Sequence, residues 1–129
     1  MQQMAVSVEQ LLKQGSDALS AGRIQEGRGI YKFLSRDMPR HPDVLHGLAM
    51  VNWHEGRHKK ALELLQQAIR GAPDFAPMRL LQGDWLQERG QAEHALSAWK
   101  AAHEKGVSPI LIKQRIDCLL YTSPSPRDS

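Results

Sequence analysis

Shifted by 34 residues, the chain falls back onto itself. Gly15, Ala49 and Gly83 align. So do Gly22, Gly56 and Gly90, then Gly27, Ala61 and Ala95, then Tyr31, Leu65 and Trp99, then Leu34, Ala68 and Ala102. Pro39 and Pro73 close two of the units. A fixed period of this length, with small residues, turn glycines and large apolar residues all recurring together, marks a stacked repeat. One such unit cannot bury its own apolar flank, so about three are needed before neighbours share a continuous core.

Each unit reads as a pair of helices. Apolar residues recur at three and four, no segment alternates with period two, and β-branched residues are sparse. Ser7-Val8-Glu9-Gln10 is a capping box. Leu11, Leu12, Gly15, Ala18 and Leu19 follow on one face, and Gly22 turns the chain. Ile24, Gly27, Ile30, Tyr31 and Leu34 form the second run, which must end before Pro39. Gly27 inside that run costs about 1 kcal/mol relative to alanine, which is reasonable only if a neighbouring helix passes close. Pro42 suits a first helical turn. Leu45, Leu48, Ala49, Asn52 and Trp53 precede Gly56, and Ala61, Leu62, Leu64, Leu65, Ala68 and Ile69 follow it. Asp74 is expected to cap the next helix, which carries Leu80, Leu81, Gly83, Trp85 and Leu86. Gly90 leads into Ala92, Ala95, Leu96, Trp99 and Ala102. After Gly106, Ser108-Pro109 opens a last helix with Ile110, Leu111, Ile112 and Ile116.

The expected organisation is a lead (1–7), three repeats (8–41, 42–75 and 76–109), a capping helix or the start of a fourth repeat (110–117), and a tail (118–129). The net charge of +3 is carried by scattered Lys and Arg residues with acids nearby, which describes a solvated face and not a nucleic-acid stripe. No apolar run reaches the length of a membrane span. The first residues have neither the basic start nor the apolar core of a secretory signal. A cytoplasmic setting is expected, with no nucleic acid and no membrane as partner. A single cysteine, Cys118, allows no internal disulfide.

The register of small residue, turn glycine, large apolar and closing proline resembles the tetratricopeptide repeat, most specifically at Leu45, Leu48, Ala49, Gly56, Ala61, Leu65, Ala68 and Pro73. That resemblance implies an all-α, right-handed α-solenoid of three helix-turn-helix repeats plus the C-terminal helix. It also implies a concave groove lined by the first helix of each pair, which holds a peptide or helix of a partner protein. Carried over by position, the groove residues are Glu9, Leu12, Ser16 and Leu19, then His46, Met50, Trp53 and His54, then Leu80, Asp84, Gln87 and Glu88. Met50 and Trp53 offer apolar contact, while Asp84 and Glu88 offer charge to a basic partner. A carboxylate clamp of the chaperone-binding kind is not expected, because its positions hold Leu12, Ser16, Gly47, Pro77 and Leu81.

His54-Glu55-Gly56-Arg57-His58 matches the H-E-x-x-H of zinc peptidases. That chemistry needs both histidines on one face of an unbroken helix. Gly56 sits at the expected turn, so His58 should swing away. No catalytic residue, metal or cofactor is expected. Residues 118–128 resemble one reading frame of a sequencing adapter, so the natural chain is expected to depart from this one near Asp117. The Ser-Pro-Ser-Pro run within them cannot continue a helix. Two functions follow: a non-enzymatic interaction scaffold, or the recruiting region of a truncated larger enzyme such as a glycosyltransferase, sulfotransferase or oxygenase.

Overall fold

The computed structural model describes residues 6–122, and the side chains as far as Leu119. Those residues form seven helices and no strand. They fall into two compact units, one up to Pro73 and the other from Asp74. The first holds α1 (Val8–Ser20), α2 (Ile24–Asp37), α3 (Pro42–His54) and α4 (His58–Gly71). The second holds α5 (Ala76–Glu88), α6 (Ala92–Glu104) and α7 (Pro109–Thr122).

Local chemistry sets the helix ends. Ser7 Oγ accepts from the Gln10 amide at 3.1 Å, and the Gln10 side chain accepts from the Ser7 amide at 2.9 Å, so the capping box is complete. Pro42 is in the first turn of α3, where its missing N–H leaves no gap in the ladder. Ser108 Oγ accepts from the Ile110 amide at 3.2 Å at the start of α7. The Asp74 expectation fails: Phe75 is the cap residue of α5, with no side-chain cap bond. The Asp74 carboxylate pairs with Lys105 Nζ instead, at 3.0 Å. The last helix continues past Asp117 to Thr122. The Ser-Pro-Ser-Pro run lies outside the described residues.

The turn at Gly56 closes on two backbone bonds, from Gly56 N to Trp53 O at 3.1 Å and from Arg57 N to Asn52 O at 2.9 Å. Together they satisfy carbonyls that the helix end leaves open. The geometry requires φ of +87° at Gly56, a region that side chains other than glycine disfavour. Gly22, Gly90 and Gly106 repeat it. The H-E-x-x-H string is thereby cut: His54 ends α3 and His58 begins α4. The His58 ring packs on Trp53, with centroids 4.2 Å apart. Glu55 is engaged by the Arg57 guanidinium and by Gln25 Nε2.

The cores are built from large residues laid on small ones. In the first unit the Tyr31 ring lies against Gly15 of α1 and Gly47 of α3. A methyl group on Gly15 would stand 2.8 Å from the ring's Cζ, and one on Gly47 would overlap the ring outright. Val44, Val51 and Leu34 complete that cluster. In the second unit Trp99 lies on Gly83 in the same way, with Ala95, Ala102 and Ile112 around it. Gly27 answers to Leu19, whose Cδ2 would stand 2.7 Å from an added methyl. Trp85 of α5 is buried as well.

These approaches are testable by pairing a crowded glycine with an open one. Gly47→Ala should destabilise by about 1–3 kcal/mol in urea unfolding, because the buried ring has nowhere to move. Gly29, helical with nothing near its missing Cβ, should gain about 0.5–1 kcal/mol as Gly29→Ala. Equal effects at the two sites would mean that Tyr31 does not pack as described. Gly56→Ala should cost about 1–2 kcal/mol through its backbone alone.

Candidate functional site

In the first unit, α1 and α3 lie on the same side of α2 and leave a cavity of about 360 Å³ between them. Leu12, Lys13, Ser16, Leu19 and Ser20 line it from α1, and Asp43, His46, Gly47 and Met50 from α3. Helical spacing accounts for both sets: 12, 16 and 19 share one face, as do 43, 46, 47 and 50. Tyr31 is the only α2 residue in the lining. It reaches the cavity because two glycines let its ring pass between the flanking helices. The atoms nearest Gly15 are Cζ, Cε2 and the hydroxyl, so the phenol end is the part that arrives there.

Five residues placed in a groove by sequence, Leu12, Ser16, Leu19, His46 and Met50, therefore meet around one cavity. Glu9, exposed on α1, lies outside the lining, as do the half-buried Trp53 and the exposed His54 further along α3. The sequence reading missed Lys13, Ser20, Tyr31, Asp43 and Gly47. Tyr31 stands in register with Leu65 and Trp99, so nothing in its sequence position sets its far end apart. A signal for Asp43 and Gly47 existed, since they stand two turns and one turn, respectively, before Met50 on the same helix face.

Two polar side chains at this cavity, those of Tyr31 and Asp43, have no hydrogen-bond or ion-pair partner among the described residues. Tyr31 is only 4% exposed, yet its hydroxyl makes no hydrogen bond among the described residues. Burial pushes the phenol pKa up, and the Asp43 charge pushes it further. The hydroxyl is therefore firmly protonated and able to donate. Burial lowers the pKa of His46, against an opposing pull from Asp43, so its imidazole is neutral at pH 7. The Asp43 carboxylate has no ion pair or hydrogen bond among the described residues; only its amide is engaged, donating to His41 Nδ1 at 3.1 Å. Lys13 is exposed and pairs with Asp17 at 3.4 Å.

The four expected groove residues of the second unit behave differently. Leu80 packs against the Trp99 cluster. Asp84 accepts from Trp99 Nε1 at 3.0 Å and takes both ends of the Arg115 guanidinium from α7, at 2.6 and 3.0 Å. Its hydrogen bonds raise the Arg115 pKa, against the cost of burial. A carboxylate so held is a brace between α5, α6 and α7, not free charge for a partner. Gln87 is half-buried and Glu88 exposed. Among the described residues, no cluster of three His, Cys, Asp or Glu side chains could hold a metal ion, and no helix is long and apolar enough to cross a membrane.

Consecutive helix pairs joined by glycine turns, with a recess between first helices, define a helical-repeat protein. The tetratricopeptide repeat model matches residues 12–76, half of the chain, which therefore belongs to the tetratricopeptide repeat family. No curated protein matches it in sequence. Among solved structures it is similar to MamA, with TM-score 0.76 and 20% identity over 90% of this chain and 68% of that one. It is similar to the type III secretion chaperone SycD of Yersinia enterocolitica, solved with a peptide of the translocator YopD: TM-score 0.71, 14% identity, 92% of this chain and 90% of that one. It is also similar to the Sgt2 TPR domain of Aspergillus fumigatus, with TM-score 0.71 and 20% identity over 100% of this chain and 93% of that domain.

Two outcomes follow. Arg115→Met should destabilise by about 1–2 kcal/mol, since it removes a bidentate charged bond from a partly buried carboxylate. His46 has a folded-state pKa below its unfolded value, so the unfolded chain binds the proton more readily. Its contribution is complete above about pH 6.5 and is lost as pH falls through the folded-state value. Relative to His46→Asn, the wild type should therefore lose stability between pH 7.5 and 5, as read from urea midpoints.

Proposed function

We propose that this chain is a protein-interaction module that holds an extended segment of a partner against the α1–α3 face of its first unit. The observation that carries this reading is the cavity itself. Leu12, Leu19, Met50 and the Tyr31 ring supply apolar wall, while Ser16, Asp43 and His46 supply polar edge. Mostly apolar concavities with a few convergent polar groups are where ligands dock. Trp53 and His54 continue the α3 face beyond Met50 by one helical turn and would extend the contact along the segment. A structural neighbour, SycD, is bound to a peptide of its translocator, so this fold can carry such a mode.

An extended segment suits the site better than a folded partner. Side chains of such a segment can enter a narrow recess one at a time while its backbone bonds to the rim. Ser16 and Ser20 are exposed on that rim and offer hydroxyls for the purpose.

The experiment is to select binders from a displayed library of random dodecapeptides on the intact chain, then measure them against a plugged variant. Ser16→Trp fills the cavity from an exposed position, so the fold should survive with an unchanged Tm. The selected peptides should lose at least about tenfold in affinity, the effect of occluding one well-filled pocket. Undiminished binding to Ser16→Trp would place the peptides elsewhere and reject the reading.

A further inference from the structure

We infer that the α1–α3 cavity is a selective pocket for a lysine or arginine side chain of the docked segment, with the alkyl stem on Leu12, Leu19 and Met50 and the cationic head between the Asp43 carboxylate and the Tyr31 hydroxyl. The inference rests on the peptide-docking reading above and adds which side chain the pocket selects.

The polar groups present decide the sign of the occupant. Asp43 brings a carboxylate with no cation beside it among the described residues. Tyr31 brings an oxygen that can accept as well as donate, buried to 4% exposure and without a hydrogen-bond partner among the described residues. His46 is neutral at pH 7, held so by burial, and therefore adds no opposing charge. The single cation of the lining, Lys13, leans on Asp17. An anionic occupant would meet the Asp43 carboxylate at close range, with only the exposed Lys13, already drawn to Asp17, to offset the repulsion. A purely aliphatic occupant would cover the buried Tyr31 hydroxyl and crowd the exposed Asp43 carboxylate without returning a hydrogen bond to either. A guanidinium or ammonium on an alkyl stem satisfies both and still covers the apolar wall. Every titratable or charged group of the lining is then accounted for: Lys13 on α1, Tyr31 on α2, and Asp43 and His46 on α3.

The test uses the peptides selected on the intact chain. They should share one required lysine or arginine. Replacing that residue by norleucine should weaken binding by about tenfold or more, the scale of a charge-assisted hydrogen bond. Asp43→Asn should weaken the cationic peptide by a similar factor and leave the norleucine peptide unchanged, and Tyr31→Phe should do the same to a smaller degree while keeping the buried ring. Peptides that bind this face without any preferred cation, or a cationic peptide indifferent to Asp43→Asn, would overturn the cation pocket while leaving peptide docking intact. Binders indifferent to Ser16→Trp would overturn both.

Discussion

Aromatic rings laid directly on glycine are the contacts on which the rest of this molecule depends. Tyr31 rests on Gly15 and Gly47, and Trp99 on Gly83. The middle repeat places Leu65 in register with those rings and Ala49 in register with Gly15 and Gly83. A larger residue on one helix thus meets a smaller one on its neighbour, and a smaller ring substitute meets a larger floor. Interiors are close-packed, so the sum of the two volumes sets how near the helices come. Where a ring occupies the slot, only glycine leaves room for it. Turn glycines such as Gly56 then return the chain at the angle this packing needs.

The two rings end differently. Trp99 carries its indole N–H to Asp84, which Arg115 holds in turn, so the polar end of that ring is answered within the second unit. Tyr31 carries a hydroxyl to a cavity where no described residue hydrogen-bonds to it. Buried polar groups are nearly always paired. An unpaired one facing a cavity beside a free carboxylate is therefore informative in a way that the braced Asp84 is not. The same carboxylate chemistry braces three helices in one unit and, in the function proposed above, faces a partner in the other.

Much of the helical architecture was legible because it rests on near neighbours in sequence. The capping box at Ser7 and Gln10, the proline opening α3 and the break at Gly56 each involve residues within about one turn of each other. The misreadings involve distant partners. Asp74 looks like a helix cap, but Lys105 draws its carboxylate elsewhere. Asp84 looks like free groove charge, but Arg115 and Trp99 converge on it. Tyr31 looks like ordinary core, and its ring is; only its far end reaches the cavity.

By itself, then, the sequence determined that the chain folds as helix pairs of fixed length, where each pair turns, and which face of each helix is apolar. Those properties follow from backbone preference and side-chain periodicity, which act locally. Tertiary structure alone decided which polar groups find partners. Pairing depends on distances between helices, those distances depend on the volumes meeting at each crossing, and no stretch of sequence contains both sides of a crossing.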